Sequence, residues 1–306
     1  MKYYFIINPN AGKGKSAPAL AADIEAYFAK NGDVAESRPY EIKYTEYTKH
    51  AIELARAFAD RGELCRIYAC GGDGTLNEVV AGAHMAEHVA IGCIPCGTGN
   101  DFIKAFGDAA EDRPDFRDVT AQIAGTVKEV DMIMCGDRVS VNALSMGLDA
   151  NVAAGVYRYK RIVGGIWAYS LALVGAVLGR TRFPFEVTID DGMHREVGEK
   201  YTLVLAGNGG EYGGGFKCAP GAVVDDGLLN FVVVQAVRKP QIATIVKRFK
   251  TGEHHRTTKI TQYKGKKLEI VSPRVENVNA DGEVFRTERL VAEIKEKGLR
   301  FIVPRG

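Results

Sequence analysis

The run CGGDGTLNEV, Cys70 to Val79, sets three glycines, a carboxylate and a hydroxyl in one turn between an apolar stretch and a helical one. Glycines let the backbone approach an anion closely, and the free N–H groups at a helix start favour negative charge. Asp73 is suited to a metal-bound phosphate or a proton network, and Thr75 is read as the first helical residue. The plain alternative is a tight turn with an N-cap. One strand later, PCGTGNDF (Pro95 to Phe102) brings Thr98, Asn100 and Asp101 to a second strand end. Two such loops on neighbouring strands point to a nucleotide site more strongly than either alone.

A third glycine-bearing loop, NPNAGKGKS (Asn8 to Ser16), follows the apolar run YYFII. A Walker A loop is excluded, because its first glycine falls on Pro9. Gly12, Gly14 and Ala17 match the spacing of the dinucleotide fingerprint, and an ordinary βα turn rich in glycine and lysine fits equally well. Lys13 and Lys15 read as solvated, and Ser16 as the cap of the first helix.

Two acidic turns complete the candidates. In NADGEVF (Asn279 to Phe285), Asp281 and Glu283 flank a glycine, which reads first as a turn; an extended segment would instead put both carboxylates on one face. In AVVDDGLL the Asp-Asp-Gly run reads as a hairpin turn. Cys93 and Cys96 form a C-x-x-C without a second pair or an H-x-x-x-H, so buried structural thiols are favoured over redox or zinc chemistry.

The elements that must position these turns alternate over the first 130 residues. KYYFIIN, YEIKYT, CRIYAC and VAIGCIPC read as strands, and APALAADIEAYFAK, HAIELARAFADR and TLNEVVAGAHM as helices. This order predicts an α/β domain with a Rossmann-like parallel sheet, whose ligands sit at the carboxyl ends of the strands. Beyond Val130 come RVSVNALSMG, FEVTIDDGMHREV, YTLVLAGNGG, LLNFVVVQAV, KLEIVS and LVAEIKEKGLRFIVP, with hairpin turns expected at Asp191-Gly192 and Lys297-Gly298. They predict a β-rich antiparallel, sandwich-like second domain. The domains are placed at 1–132 and 133–306, with the final strand free to return to the first.

Forty Lys and Arg against 38 Asp and Glu give a net charge of +2, which argues against nucleic acid as a partner. The apolar run before Asn8 is too short for a secretory signal, so a cytoplasmic protein is expected. Residues 162–178 carry no charge, contain three glycines, and have Arg158, Lys160, Arg161, Arg180 and Arg182 at their flanks. A helix packed on the second domain is favoured over a membrane span, and its basic flanks suit a lipid surface.

Taken together, NPNAG, GGDGTLNEV, GTGND, NGGEYGGGFKCAPGAVVDDGLL and ADGE, in this order from residue 3 to beyond 283, resemble the bacterial soluble diacylglycerol kinase family, relatives of sphingosine and ceramide kinases. GGDGT alone is shared with NAD kinases and phosphofructokinases; the whole series is more specific. The resemblance implies a lipid kinase using ATP and Mg²⁺, with a nucleotide domain and a lipid domain separated by a cleft. It implies that Asn8, Pro9, Asn10, Ala11 and Gly12 border the nucleotide, with Thr45 after the second strand. Gly72, Asp73, Gly74, Thr75, Leu76, Asn77 and Glu78 would wrap the phosphates, with Thr98 opposite. Asp226 and the carbonyls of Val223 and Leu228 would hold a structural Mg²⁺. Asp281 and Glu283 would form the catalytic acid pair, either one being the base, and Asp131 would link Asp73 to it through a charge network.

The expected reaction passes the γ-phosphoryl group of ATP to a lipid hydroxyl, diacylglycerol giving phosphatidic acid, in phospholipid metabolism. The expected setting is the inner membrane face, by transient surface contact, with pairing into a homodimer left open. An NAD kinase is the competing enzyme, but it leaves NPNAG and residues 162–178 unexplained. A nucleotide- or lipid-binding regulator without catalysis is the competing non-enzyme.

Overall fold

A computed structural model describes residues 1–14, 16–31, 39–97, 99–107, 114–159, 165–192, 194–196 and 200–305. Lys15, Thr98, Lys160, Arg161 and residues 162–164, singled out above, lie outside the described residues. The chain divides into two compact units, one of Met1–Val130 with Lys297–Gly306 and one of Asp131–Glu296.

In the first unit the alternating pattern folds as β1 (Lys2–Ile7), α1 (Ser16–Asn31), β2 (Tyr40–Tyr44), α2 (His50–Ala59), β3 (Cys65–Gly71), α3 (Asp73–Ala83), β4 (Val89–Pro95) and the short α4 (Val119–Ile123). The strands run parallel in the order β2-β1-β3-β4. β4 is apolar throughout and fully buried, as parallel strands covered on both faces must be. Leu20, Ile24 and Phe28 recur at four-residue steps on α1 and pack on Phe5, Ile7 and Tyr68. Each such side chain contributes about 1.5–3 kcal/mol by leaving water. Because β2 and β3 lie on opposite sides of β1, the order switches between β1 and β3. The carboxyl ends flanking such a switch point are where open α/β sheets bind ligands.

β5 (Thr126–Cys135) leads into the second unit. There follow β6 (Arg138–Ser140), β7 (Ala143–Gly147), α5 (Leu148–Tyr159), α6 (Gly165–Leu178), β8 (Glu186–Ile189), β9 (His194–Glu196), β10 (Tyr201–Gly207), β11 (Leu229–Gln235), α7 (Ile242–Thr251), β12 (Ile260–Gly265), β13 (Lys267–Ala280) and β14 (Glu283–Val303). The antiparallel order β12-β11-β10-β7-β13-β14 buries Leu205, Phe231, Val278 and Leu290 among others, and β8 pairs with β13. The two-domain class, parallel α/β and antiparallel β, is the one expected.

Four local expectations change. Lys297-Gly298 is no hairpin: β14 runs through it with Lys297 at φ +51°, and its end returns to the first unit, where Phe301 pairs in parallel with Ile91 of β4. RVSVNALSMG is two strands, because the backbone N–H groups of Val141, Asn142 and Ala143 are taken by the Asp281 carboxylate instead of a ladder partner. α5 and α7 were not foreseen in a segment read as strands and turns; α7 buries Ile242, Ile245 and Phe249 at helical spacing, and Gly252 closes it at φ +74°. α3 starts at Asp73 rather than Thr75.

Candidate active site

Three loops follow β1, β3 and β4, and hydrogen bonds tie them together. Asn8 accepts from the N–H of Asn10 at 3.0 Å, and its amide donates to Thr75 Oγ1 at 3.2 Å. The N–H of Cys96 reaches Gly71 O at 2.8 Å. The carboxylate of Asp73 accepts the backbone N–H groups of Asn100 and Asp101, each at 2.7 Å. Close approach explains the glycines. A Cβ on Gly97 would meet Gly72 Cα at 2.9 Å, one on Gly99 would meet Asp73 Oδ2 at 2.6 Å, and one on Gly12 would meet Cys96 O at 2.5 Å. Gly74 is different, since a Cβ there would have nothing within 4 Å.

The residues named from the sequence divide by direction. Asn10, Gly12 and Gly74 are exposed, and Asn8, Pro9, Ala11, Gly72 and Asp73 are partly so. Thr45 follows β2, with its N–H on Ile7 O at 2.9 Å. Thr75, Leu76 and Asn77 turn inward and are buried. Glu78 faces the preceding helix: its carboxylate accepts the N–H groups of Lys49 and Ala51 at 3.1 and 3.3 Å, capping α2. Ser16 begins α1, and its hydroxyl donates to Ala11 O at 3.5 Å instead of capping the helix. Gly97 and Gly99 were not singled out, although GTG stood inside a quoted motif.

In the second unit, Asp281 and Gly282 form the two-residue turn between β13 and β14, with φ +48° and +91° and Ala280 opposite Glu283. Positive φ at both positions suits the strand twist of a tight hairpin, so the same-face argument for an extended segment does not apply. Asp281 is held by Val141 N at 2.6 Å, Ala143 N at 2.8 Å and Asn142 N at 3.2 Å. Glu283 is partly buried and has no such partner among the described residues. Asp131 is buried; its Oδ2 accepts Gly227 N at 2.8 Å, and its N–H donates to Val224 O at 2.6 Å. It thereby ties β5 to the turn containing Val223, Asp226 and Leu228.

That turn has oxygen donors. Asp226 Oδ1 accepts Leu228 N at 3.1 Å, while Oδ2 lies 2.9 Å from Lys264 Nζ. Lys264 thus supplies positive charge where a hard cation would take oxygen ligands, and the donor chemistry fits such a cation in its place. Among the described residues no group of three His, Cys, Asp or Glu side chains forms a metal cluster.

A buried acid escaped the sequence reading. Asp149, at the start of α5, accepts the Ser145 hydroxyl and the Tyr212 hydroxyl, the latter at 3.3 Å, while its Oδ1 is buried without a partner. Burial raises its pKa to about 6. Tyr212 belongs to the NGGEYGGGF run, the available signal. Burial pushes the Cys93 and Cys96 thiols up, away from reactive thiolates.

Comparison with known proteins finds a match for each of the two domains. The diacylglycerol kinase catalytic domain covers residues 2–135, and the YegS C-terminal NAD kinase beta sandwich-like domain covers 142–303. The chain belongs to the bacterial lipid kinase family. It is therefore a kinase. Within the family, a protein of Shewanella frigidimarina named "Probable lipid kinase YegS-like" is 27% identical over 82% of this chain and 80% of its own length. A protein of Chromohalobacter salexigens with the same name is 34% identical over 60% of this chain and 58% of its own. A crystal structure of a diacylglycerol kinase from Bacillus anthracis superposes with a TM-score of 0.68 at 22% identity, over 99% of this chain and 96% of that one. A second structure, "Crystal structure of a putative diacylglycerol kinase from Bacillus anthracis str. Sterne", superposes with a TM-score of 0.75 at 24% identity, over 99% of this chain and 95% of that one. At these identities the two structures speak to the fold alone. Among the described residues no helix is long and apolar enough to cross a membrane.

Proposed function

We propose that this lipid kinase transfers the γ-phosphoryl group of ATP to the hydroxyl of a lipid, with diacylglycerol as acceptor and phosphatidic acid as product. The observation that carries the reading is the pair of bonds that Asp73 accepts from the N–H groups of Asn100 and Asp101, which join the glycine loops at the carboxyl ends of β3 and β4, beside the sheet's switch point. Gly74 is exposed and Gly72 partly so at the start of α3, where the helix's first N–H groups suit phosphate oxygens.

In the reaction the acceptor oxygen bonds to the γ-phosphorus as the bond from phosphorus to the β–γ bridging oxygen breaks. ADP leaves with that electron pair, and the hydroxyl proton passes to a carboxylate. Glu283 is the base in this proposal, because the Asp281 oxygens are engaged by backbone N–H groups and, among the described residues, Glu283's are not. Asp281 then acts as a positioning residue that fixes the turn carrying Glu283. A carboxylate suffices, since the proton is lost only as the new bond forms. Mg²⁺, when bound, supplies neutralisation of phosphate charge; a structural Mg²⁺ would be held by Asp226 with the carbonyls of Val223 and Leu228. Asp131, hydrogen-bonded to Gly227, keeps that turn in place.

The purified protein, given labelled ATP, Mg²⁺ and diacylglycerol in mixed micelles, is expected to yield labelled phosphatidic acid. Transfer to another lipid hydroxyl would correct the acceptor. Transfer to NAD, or to nothing in a broad lipid panel, would overturn the proposal.

A further inference from the structure

Val141, Asn142 and Ala143 supply the three N–H groups that grip the Asp281 carboxylate, and a regular strand could not present them this way. Along an extended chain successive N–H groups point to opposite edges. To converge on one carboxylate the backbone at 141–142 leaves the ladder, and its carbonyls must then find other donors. They find them in Asn208 and its neighbour. The Asn208 side-chain amide donates to Val141 O at 2.8 Å, and the backbone N–H groups of Asn208 and Gly209 donate to Asn142 O at 2.8 and 2.9 Å. The same amide reaches Asp131 O at 2.7 Å. Because both side-chain partners are carbonyls, the NH₂ of Asn208 must face them and not its oxygen. Asn208 directly follows β10 and is fully buried.

This arrangement has a cost. The Oδ1 atoms of Asn208 and Asn142 are buried without a hydrogen-bond partner among the described residues. A buried acceptor left unmet destabilises a fold, and local violations of this kind gather where a site needs them. The packing around the two amides is close as well: a Cβ on Gly209 would meet Asn142 Oδ1 at 1.9 Å, and the Asn142 amide donates to Glu211 O at 2.6 Å. We infer that Asn208 is a positioning residue for phosphoryl transfer: it holds the carbonyl side of Val141 and Asn142, their N–H groups with that of Ala143 fix Asp281, and the Asp281–Gly282 turn thereby sets Glu283. Asn208 itself touches neither ATP nor the acceptor. The inference rests on Glu283 as the base, as read above, but one arm of its test needs no ATP.

The test is Asn208→Leu, which keeps the bulk of the side chain and removes both of its donor hydrogens. Amide hydrogen exchange is expected to be about tenfold or more faster at Val141, Asn142 and Ala143, while Leu205 and Val232, paired in the β10–β11 ladder, keep their protection. In transfer assays kcat is expected to fall about 10²-fold with KM for ATP unchanged. Thr202→Ala is the control for a merely structural effect. It removes a buried hydroxyl that accepts Val237 N at 3.2 Å near the other end of β10, and is expected to lower the thermal midpoint with kcat unchanged. Added to Asp281→Asn, Asn208→Leu is expected to lower kcat little further, because both changes break one chain of bonds. Wild-type exchange at 141–143 in Asn208→Leu overturns the inference. So does a wild-type kcat, or a double variant whose losses multiply. Absence of transfer by the wild type defeats the kinase reading and not the grip of Asn208, which the exchange measurement decides by itself. Should Asn208→Leu not fold, Asn208→Ser, which keeps one donor, decides by the same measurements, with smaller losses expected.

Discussion

The carboxylate of Asp73, on the first turn of α3, holds the N–H of Asn100 at 2.7 Å, and Asn100 stands at φ +51° in the loop after β4. One acid therefore fixes the shape of a loop that is 27 residues away in the chain. In Asp73→Asn only one oxygen remains to accept, and the amide NH₂ faces the other N–H donor. The expected cost is about 1–3 kcal/mol of stability, with loss of phosphoryl transfer. Thermal unfolding and amide exchange at Asn100 and Asp101 check the first part, and a transfer assay the second.

Gly74 offers a sharper separation of fold from function. Its position is helical and open, so Gly74→Ala is expected to keep or raise stability, by up to about 1 kcal/mol. A phosphate lying against that backbone would collide with the new methyl. ATP affinity, measured by titration calorimetry, is then expected to fall at least tenfold at unchanged stability. Unchanged affinity would remove Gly74 from the nucleotide site.

The two acids of the β13–β14 turn are expected to fail differently. Glu283→Gln should lower kcat by about 10²–10⁴ with the unfolding midpoint preserved. Asp281→Asn should lower stability by about 1–3 kcal/mol, because Val141, Asn142 and Ala143 lose acceptors for their N–H groups. Steady-state kinetics beside thermal melts distinguish the two; a reversed pattern would exchange their roles.

Asp149 gives a pH dependence with a definite sign. Its folded pKa of about 6 lies above the unfolded value, so between the two the folded state binds more protons. Its contribution is fully present below about pH 4 and is lost as pH rises through about 6. The loss is on the order of 2–3 kcal/mol. Denaturant melts of wild type and Asp149→Asn from pH 4 to 8 should show the difference between them moving in the variant's favour as pH rises. A constant difference would mean that Asp149 does not titrate in this window.

Lys264 competes with any cation at Asp226. The exposed pair itself contributes about 0–1 kcal/mol. Lys264→Met is expected to unfold within about that margin of wild type without Mg²⁺, and to gain more stability than wild type when Mg²⁺ is added. Melts across a Mg²⁺ titration test this, and equal responses would argue against cation binding at the turn.

The sequence by itself determined the alternation of β1 to β4 with α1 to α3, the antiparallel character of the second unit, and the position of GGDGT at a strand end. These depend on local periodicity and on glycine's backbone freedom, which a short window contains. Tertiary structure alone decided what the acids do. Glu78 reads like part of the GGDGT wrap yet caps α2, and Asp281 reads like a partner of Glu283 yet satisfies three N–H groups some 140 residues away. The passage of β14 through Lys297-Gly298, where a hairpin was expected, was decided in the same way, by pairing of Phe301 with Ile91. A buried carboxylate or strand end takes whichever donors the fold brings to it, and those donors come from chain segments that no local pattern connects.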